Sequence, residues 1–162
     1  MAQRTIKTLM ILTLGLSVLF YLLQNFANLQ SAYEVISFVL SGQGHEYYTN
    51  TFGFFSSSPS LVWTALSVIF LFEGLAALCL LKGSFDLWRA RRSDETQFRE
   101  AKRWSIIGLF LGFFVWGFLF FGVGGAFFNM WQTEIGAGSL ADSFKFATLM
   151  AVTLIFIAQR ES

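Results

Sequence analysis

The chain has 162 residues, of which 55% are hydrophobic, 19% aromatic and 13% charged, with a formal net charge of +1. Charged residues run at about half the roughly 25% usual in soluble domains, and a small soluble fold has too much surface to hide this much apolar side chain. A water-soluble globular domain is therefore excluded, as are an internal disulfide (the one cysteine is Cys79) and a bis-histidine haem held by this chain alone (the one histidine is His45).

A spanning helix needs about 20 mainly apolar residues, and four segments meet that need. The first is predicted over 8–27, around the apolar stretch Leu9–Leu23, behind Arg4 and Lys7. No small-x-small cleavage site follows promptly, so the segment reads as an uncleaved anchor rather than a signal peptide.

From Leu29 to Pro59 there is no Lys or Arg. Ser31 is placed to cap a short helix whose apolar positions Val35, Ile36, Val39 and Leu40 share a face, which predicts an interfacial helix. The remainder is rich in Gly, Ser, Tyr and Phe and reads as an aromatic loop lying at the outer membrane face. Pro59 suits the start of the second spanning helix, predicted over 60–81 and interrupted by one charge, Glu73.

Between the second and third spans, Lys82 to Arg103 carries Lys82, Arg89, Arg91, Arg92, Arg99, Lys102 and Arg103 with Asp86, Asp94, Glu95 and Glu100. This connection is expected to extend the two helices as a hairpin. Its bases read as a topology signal on solvated helix ends rather than as an anionic-lipid site, because the acids dilute the field.

The third span, 104–125, is the most apolar. At 100° per residue Gly108, Gly112 and Gly122 fall on one face, with Gly117 and Gly124 roughly opposite. The Gly108-x-x-x-Gly112 spacing lets helix backbones approach closely, and two flat faces predict a helix sandwiched between neighbours. Just beyond it, Trp131 reads as an interfacial anchor, while Asn129 and Gln132 are candidates for capping or outer-face contact. The fourth span is predicted over 140–158. Its clean apolar run, Phe146 to Ala158, is too short to cross unless the helix begins near Leu140 and carries Asp142 and Lys145, spaced to pair at i,i+3.

Of eleven Lys and Arg, Lys145 alone falls on the side opposite the rest. The positive-inside rule then puts both termini and 82–103 in the cytoplasm, and an even number of spans agrees.

Glu73 is the sharpest chemical feature, since an ionised carboxylate at mid-membrane costs at least roughly 2.5 kcal/mol. Three uses are open: a hydrogen-bonded tie to a neighbouring helix, a proton, cation or ligand contact, and a contact to another subunit. No second acid, Lys, Arg or His lies at comparable depth, so the tie is favoured. His45 and Glu46 are adjacent but do not make a metal site by themselves, no Cys/His cluster has zinc spacing, and no nucleophile–base pair can be assembled. No catalytic residue, metal or cofactor is expected, and nothing points to nucleic acid.

Four stretches carry a resemblance: Glu73-Gly74-Leu75-Ala76-Ala77; Phe98-Arg99-Glu100-Ala101-Lys102; Gly124-Gly125 followed by Phe128-Asn129-Met130-Trp131-Gln132-Thr133; and Ser143-Phe144-Lys145. Over nearly its whole length the chain resembles the bacterial family described only as predicted small integral membrane proteins, a domain of unknown function. It diverges where that family has Asn-x-x-Asp, His-Val-Leu-x-Met-Asp and Gly-Gly-Glu-Trp-Phe. Here Asn28, Phe38, Gln43 and Ala126 replace three acids and a histidine. The resemblance implies a four-helix transmembrane bundle in a bacterial inner membrane and lends no activity.

Two functions follow as expectations. The favoured one is a non-catalytic accessory or assembly subunit of a larger membrane complex, with lipid, other subunits and a second copy of the chain as partners. The alternative is a small transporter, channel or lipophile (quinone, lipid) binding protein using Glu73.

Overall fold

The computed structural model describes residues 2–160. All regular structure among them is helical: α1 Ala2–Ala27, α2 Leu29–Ser41, α3 Pro59–Ala90, α4 Glu95–Ala101, α5 Arg103–Phe113, a π-helical continuation Phe114–Phe127, a 3-10 turn Met130–Gln132, and α6 Glu134–Ala158. Four helical units, 2–27, 59–90, 95–127 and 134–158, are long and apolar enough to cross a membrane. At 1.5 Å per residue even the shortest is about 37 Å long, against a hydrocarbon core of about 30 Å. The protein is an all-α integral membrane protein built as a four-helix bundle, with α2 as a short extra helix after the first span.

α1 packs along α3, α3 along α5, and α5 with its π-helical continuation along α6. Ile11, Leu14 and Val18 of α1 meet Ala76, Ala77 and Leu80 of α3, Leu109 of α5 and Met150 of α6 in one buried core. Small residues set the helix spacing. A Cβ on Gly15 would lie 3.1 Å from Leu80 Cβ, and one on Gly108 would lie 2.8 Å from the Leu80 amide nitrogen. Close backbone approach is how helices associate in lipid, where burying apolar surface gives no advantage over leaving it in hydrocarbon.

Several helix ends fall outside the apolar runs, each for a local reason. α1 begins at Ala2 rather than near residue 8, because its basic residues have protein partners. Arg4 Nη1 donates to the Ser93 carbonyl at 2.6 Å and lies over the Phe98 ring, and Lys7 is fully buried with Nζ 3.0 Å from the Gln159 carbonyl. α3 continues to Ala90, so Gly83 and Ser84 are buried helix residues rather than part of a solvated connection. α6 begins at Glu134, six residues before Leu140, because the Thr133 hydroxyl accepts the Gly136 amide as an N-cap.

Two local expectations change. Ser31 does not cap α2: the chain turns at Asn28, and Ser31 sits inside the first turn. Lys102, read as a solvated base, is 4% exposed and donates to the Gln159 carbonyl at 2.8 Å. Two other local expectations hold. Pro59 opens α3 after an extended Ser58, and Lys145 pairs with Asp142 at 2.8 Å.

Candidate functional site

α2 runs from the Asn28 corner, beside Ile69 and Phe70 of α3, to Leu40 beside Val62, at the end of the bundle opposite the termini. Gly42 ends it in the left-handed conformation (φ 67°), and a Cβ there would also fall 2.7 Å from the Phe55 ring, so glycine answers both demands. Its Val39 and Leu40 are buried with Val62, Phe128 and Met130 in a second core that is separate from the main one. α2 is thus a roof whose apolar face looks down into the bundle.

The roof does not close completely. Between Val35, Ile36 and Val39 of α2, Ile69 of α3, and Phe120 and Val123 of the π-helical segment lies an apolar cavity of 180 Å3. A second space of 290 Å3 shares Val35, Ile36, Ile69 and Phe120 as walls and reaches Gln24, Asn25, Asn28 and Ser31 at the α1–α2 corner. An apolar interior and a neutral polar corner therefore lie side by side and share these walls.

Glu73 stands beside that corner. It is 3% exposed, and its Oε2 accepts a hydrogen bond from Asn25 Nδ2 at 3.3 Å, linking α3 to the end of α1. Among the described residues Asn25 is its side-chain hydrogen-bond partner. Glu73 is about 21 Å along α3 from Pro59, well inside the span. Asn28 Nδ2 turns back to the Gln24 carbonyl (2.9 Å), which steadies the same corner.

The segment 42–58 caps this end, held by the turn after the π-helical segment. Gln132 Oε1 accepts the backbone amides of Tyr47 and Tyr48 (3.0 and 2.7 Å), and its Nε2 donates to the Tyr48 carbonyl (3.1 Å). Thr51 Oγ1 donates to the Phe127 carbonyl at 2.6 Å. Trp131 meets the Tyr48 ring edge-on. Asn129 takes φ 53°, the one positive φ outside glycine among the described residues, and its side chain reaches the Asn50 carbonyl at 3.5 Å. Asparagine tolerates that conformation better than most residues. Asn129, Trp131 and Gln132 therefore contact the protein's own cap.

His45 is half-buried in this cap against the Phe55 ring, and its Nδ1 is buried without a hydrogen-bond partner. Burial pushes its pKa below the ordinary histidine value. Among the described residues no three His, Cys, Asp or Glu side chains are grouped to hold a metal ion.

The five glycines of the third span do not act as two faces. Gly108 meets α3, Gly112 meets Met150 of α6, and Gly124 meets Met130 of the following turn. For Gly117 and Gly122 the nearest atoms are Phe113 and Phe118 of their own helix. Gly108 and Gly112 precede the change of winding and meet different neighbours within regular α5. From Phe114 on, the π-helical winding, in which the Phe128 amide donates to Val123 five residues back, takes Gly117, Gly122 and Gly124 out of phase with a 3.6-residue repeat. Sequence reasoning also missed Gly83, Gly136 and Asn25. Gly83 was hidden by its basic neighbour Lys82, and Asn25 stood in the sequence only as the first residue of Asn25-x-x-Asn28, where the family pattern has Asn-x-x-Asp.

A family model described as "Predicted small integral membrane protein" matches residues 3–160. No curated protein and no solved structure matches the chain.

Proposed function

The chain belongs to the family of predicted small integral membrane proteins, and from that premise we propose that it is a non-catalytic accessory or assembly subunit of a larger complex in a bacterial inner membrane. The observation that carries this reading is the cap at the end opposite the termini. Tyr47, Tyr48, Phe52 and Phe54 are 75%, 61%, 84% and 53% exposed, while the backbone of Tyr47 and Tyr48 is tied to Gln132, the neighbouring Thr51 hydroxyl to the Phe127 carbonyl, and the Phe52 and Phe54 rings rest on Phe127. Aromatic side chains presented from a fixed backbone lose little entropy on docking and are the commonest anchors of protein interfaces.

The orientation in this proposal follows the positive-inside rule, with both termini and 82–103 in the cytoplasm. It is supported by Arg4 bonding Ser93 and by Lys7 and Lys102 bonding Gln159, contacts that gather both chain ends and that connection at one end of the bundle. The rival use of Glu73 in ion transport draws less support, because its neighbour is a neutral amide rather than a second ionisable group.

The test is affinity purification of the tagged protein from its native membrane in mild detergent, with mass spectrometry of what co-migrates. A stoichiometric complex that is lost in Phe52→Ser and Tyr48→Ser is the expected result. A lone monomer or homo-oligomer overturns the proposal.

A further inference from the structure

We propose that the space beneath α2 is a binding site for a neutral, single-chain lipophile whose head carries carbonyl or hydroxyl oxygen. The site stands independently of the accessory role. Helical cores are close-packed, so space of this size needs an occupant or a reason. The 180 Å3 compartment is walled mainly by apolar side chains, among them Val35, Ile36, Val39, Ile69 and Phe120, with Ser139 its one polar side chain. Apolar cavities of this kind stay dry, and one of about 150 Å3 accepts a benzene-sized group. In a bilayer the natural content is hydrocarbon, and there is room for a ring or a short length of one chain.

The outer compartment selects the head. Asn25, Asn28 and Ser31 border it, and together they offer amide and hydroxyl groups that both donate and accept. No Lys or Arg occurs from Leu29 to Pro59. A phosphate head would therefore leave water without a counter-charge, which is costly, whereas neutral oxygens need only hydrogen bonds. Glu73 acts as a positioning residue. It takes one amide hydrogen of Asn25 and so holds the carboxamide at the edge of the compartment, with its carbonyl and second N–H left for a ligand. An isoprenoid quinone and a monoacylglycerol share the required chemistry.

The experiment uses the full chain in detergent with three probes: decylubiquinone, monoolein, and dioleoyl phosphatidylglycerol as the anionic comparison. Thermal shift and native mass spectrometry read stabilisation and stoichiometry. Saturable stabilisation at one molecule per chain is expected from a neutral probe, and not from phosphatidylglycerol. A quinone response alone identifies a quinone site, and a monoolein response alone an acylglycerol site; either upholds the proposal. Two variants fill the apolar compartment from different helices, Ala65→Phe from α3 and Ile36→Trp from α2, so that a folding defect in one leaves the other to decide. Whichever retains the wild-type melting profile should lose the response. Asn25→Leu should weaken binding about tenfold, the scale of one lost hydrogen bond; with Asn25 in place, Glu73→Gln, which still accepts from it, should keep nearly wild-type affinity and Glu73→Leu should not. No response to either neutral probe, an equal response to phosphatidylglycerol, or a response that survives both filling variants overturns the proposal.

Discussion

Gly83 of α3 and Ser105 of α5 meet with no space for a methyl group between them: a Cβ on Gly83 would lie 2.5 Å from the Ser105 amide nitrogen. Both residues are buried, and Ser105 Oγ has no hydrogen-bond partner. The contact holds α3 and α5 at close range just inside the charged end of the bundle. Because the obstacle is backbone, it cannot yield by a rotamer change. Gly83→Val should cost about 1–3 kcal/mol through overpacking. Ser105→Ala should be neutral or stabilising by about 1 kcal/mol, since it removes an unsatisfied hydroxyl. Thermal unfolding in detergent checks both, and a wild-type Gly83→Val would show that the helices are not in contact there.

Lys7 and Lys102 share one acceptor, the Gln159 carbonyl at the end of α6. Cations at a helix C-terminus are favoured by the helix dipole and satisfy carbonyls left over there. Lys7→Met and Lys102→Met should each cost about 1.5–3 kcal/mol, as charged hydrogen bonds do. The double variant should exceed the sum, because the two cations repel across one shared carbonyl and either lysine left alone still satisfies it. Strict additivity in a double-mutant cycle would separate the two.

Gln132 bonds three backbone groups of Tyr47 and Tyr48. Gln132→Ala should release the cap without melting the spans, whose main core lies elsewhere. Hydrogen exchange is the measurement: faster exchange is expected at the Tyr47 and Tyr48 amides, by about five- to tenfold per lost bond, with α1 and α3 unchanged. Unaltered exchange there would mean the cap is held by its aromatic contacts.

The His45 pKa is lowered by burial, so the folded cap binds fewer protons than the unfolded one. Its contribution to stability is present above the ordinary histidine pKa of about 6.5 and declines as pH falls through that value. Trp131 fluorescence, which reports on the cap through Tyr48, should change on acidification in the wild type. His45→Phe should flatten that change, and an identical profile in the variant would place the titrating group elsewhere.

Much of this protein was legible in its residues one segment at a time. Low charge and four apolar runs required lipid as solvent. The clustering of bases around 82–103 and near both ends grouped those parts together, and the stripe Val35, Ile36, Val39 and Leu40 marked α2 as half-buried. These are sums over neighbouring residues, and they survive whatever the helices pack against.

What the tertiary structure alone decided is who meets whom. Asn25 finds Glu73, Gly83 finds Ser105, and Lys7 finds Gln159 together with Lys102, a base that reads as solvated in the sequence. The cavity beneath α2 exists only because five helical segments converge on it. In lipid the apolar faces of a helix are nearly equivalent, so neighbours are chosen by close fit and a few polar contacts. Those are properties of pairs distant in sequence, and in the third span the π-helical winding after Phe113 also shifts the phase of the residues that follow, among them the cavity walls Phe120 and Val123.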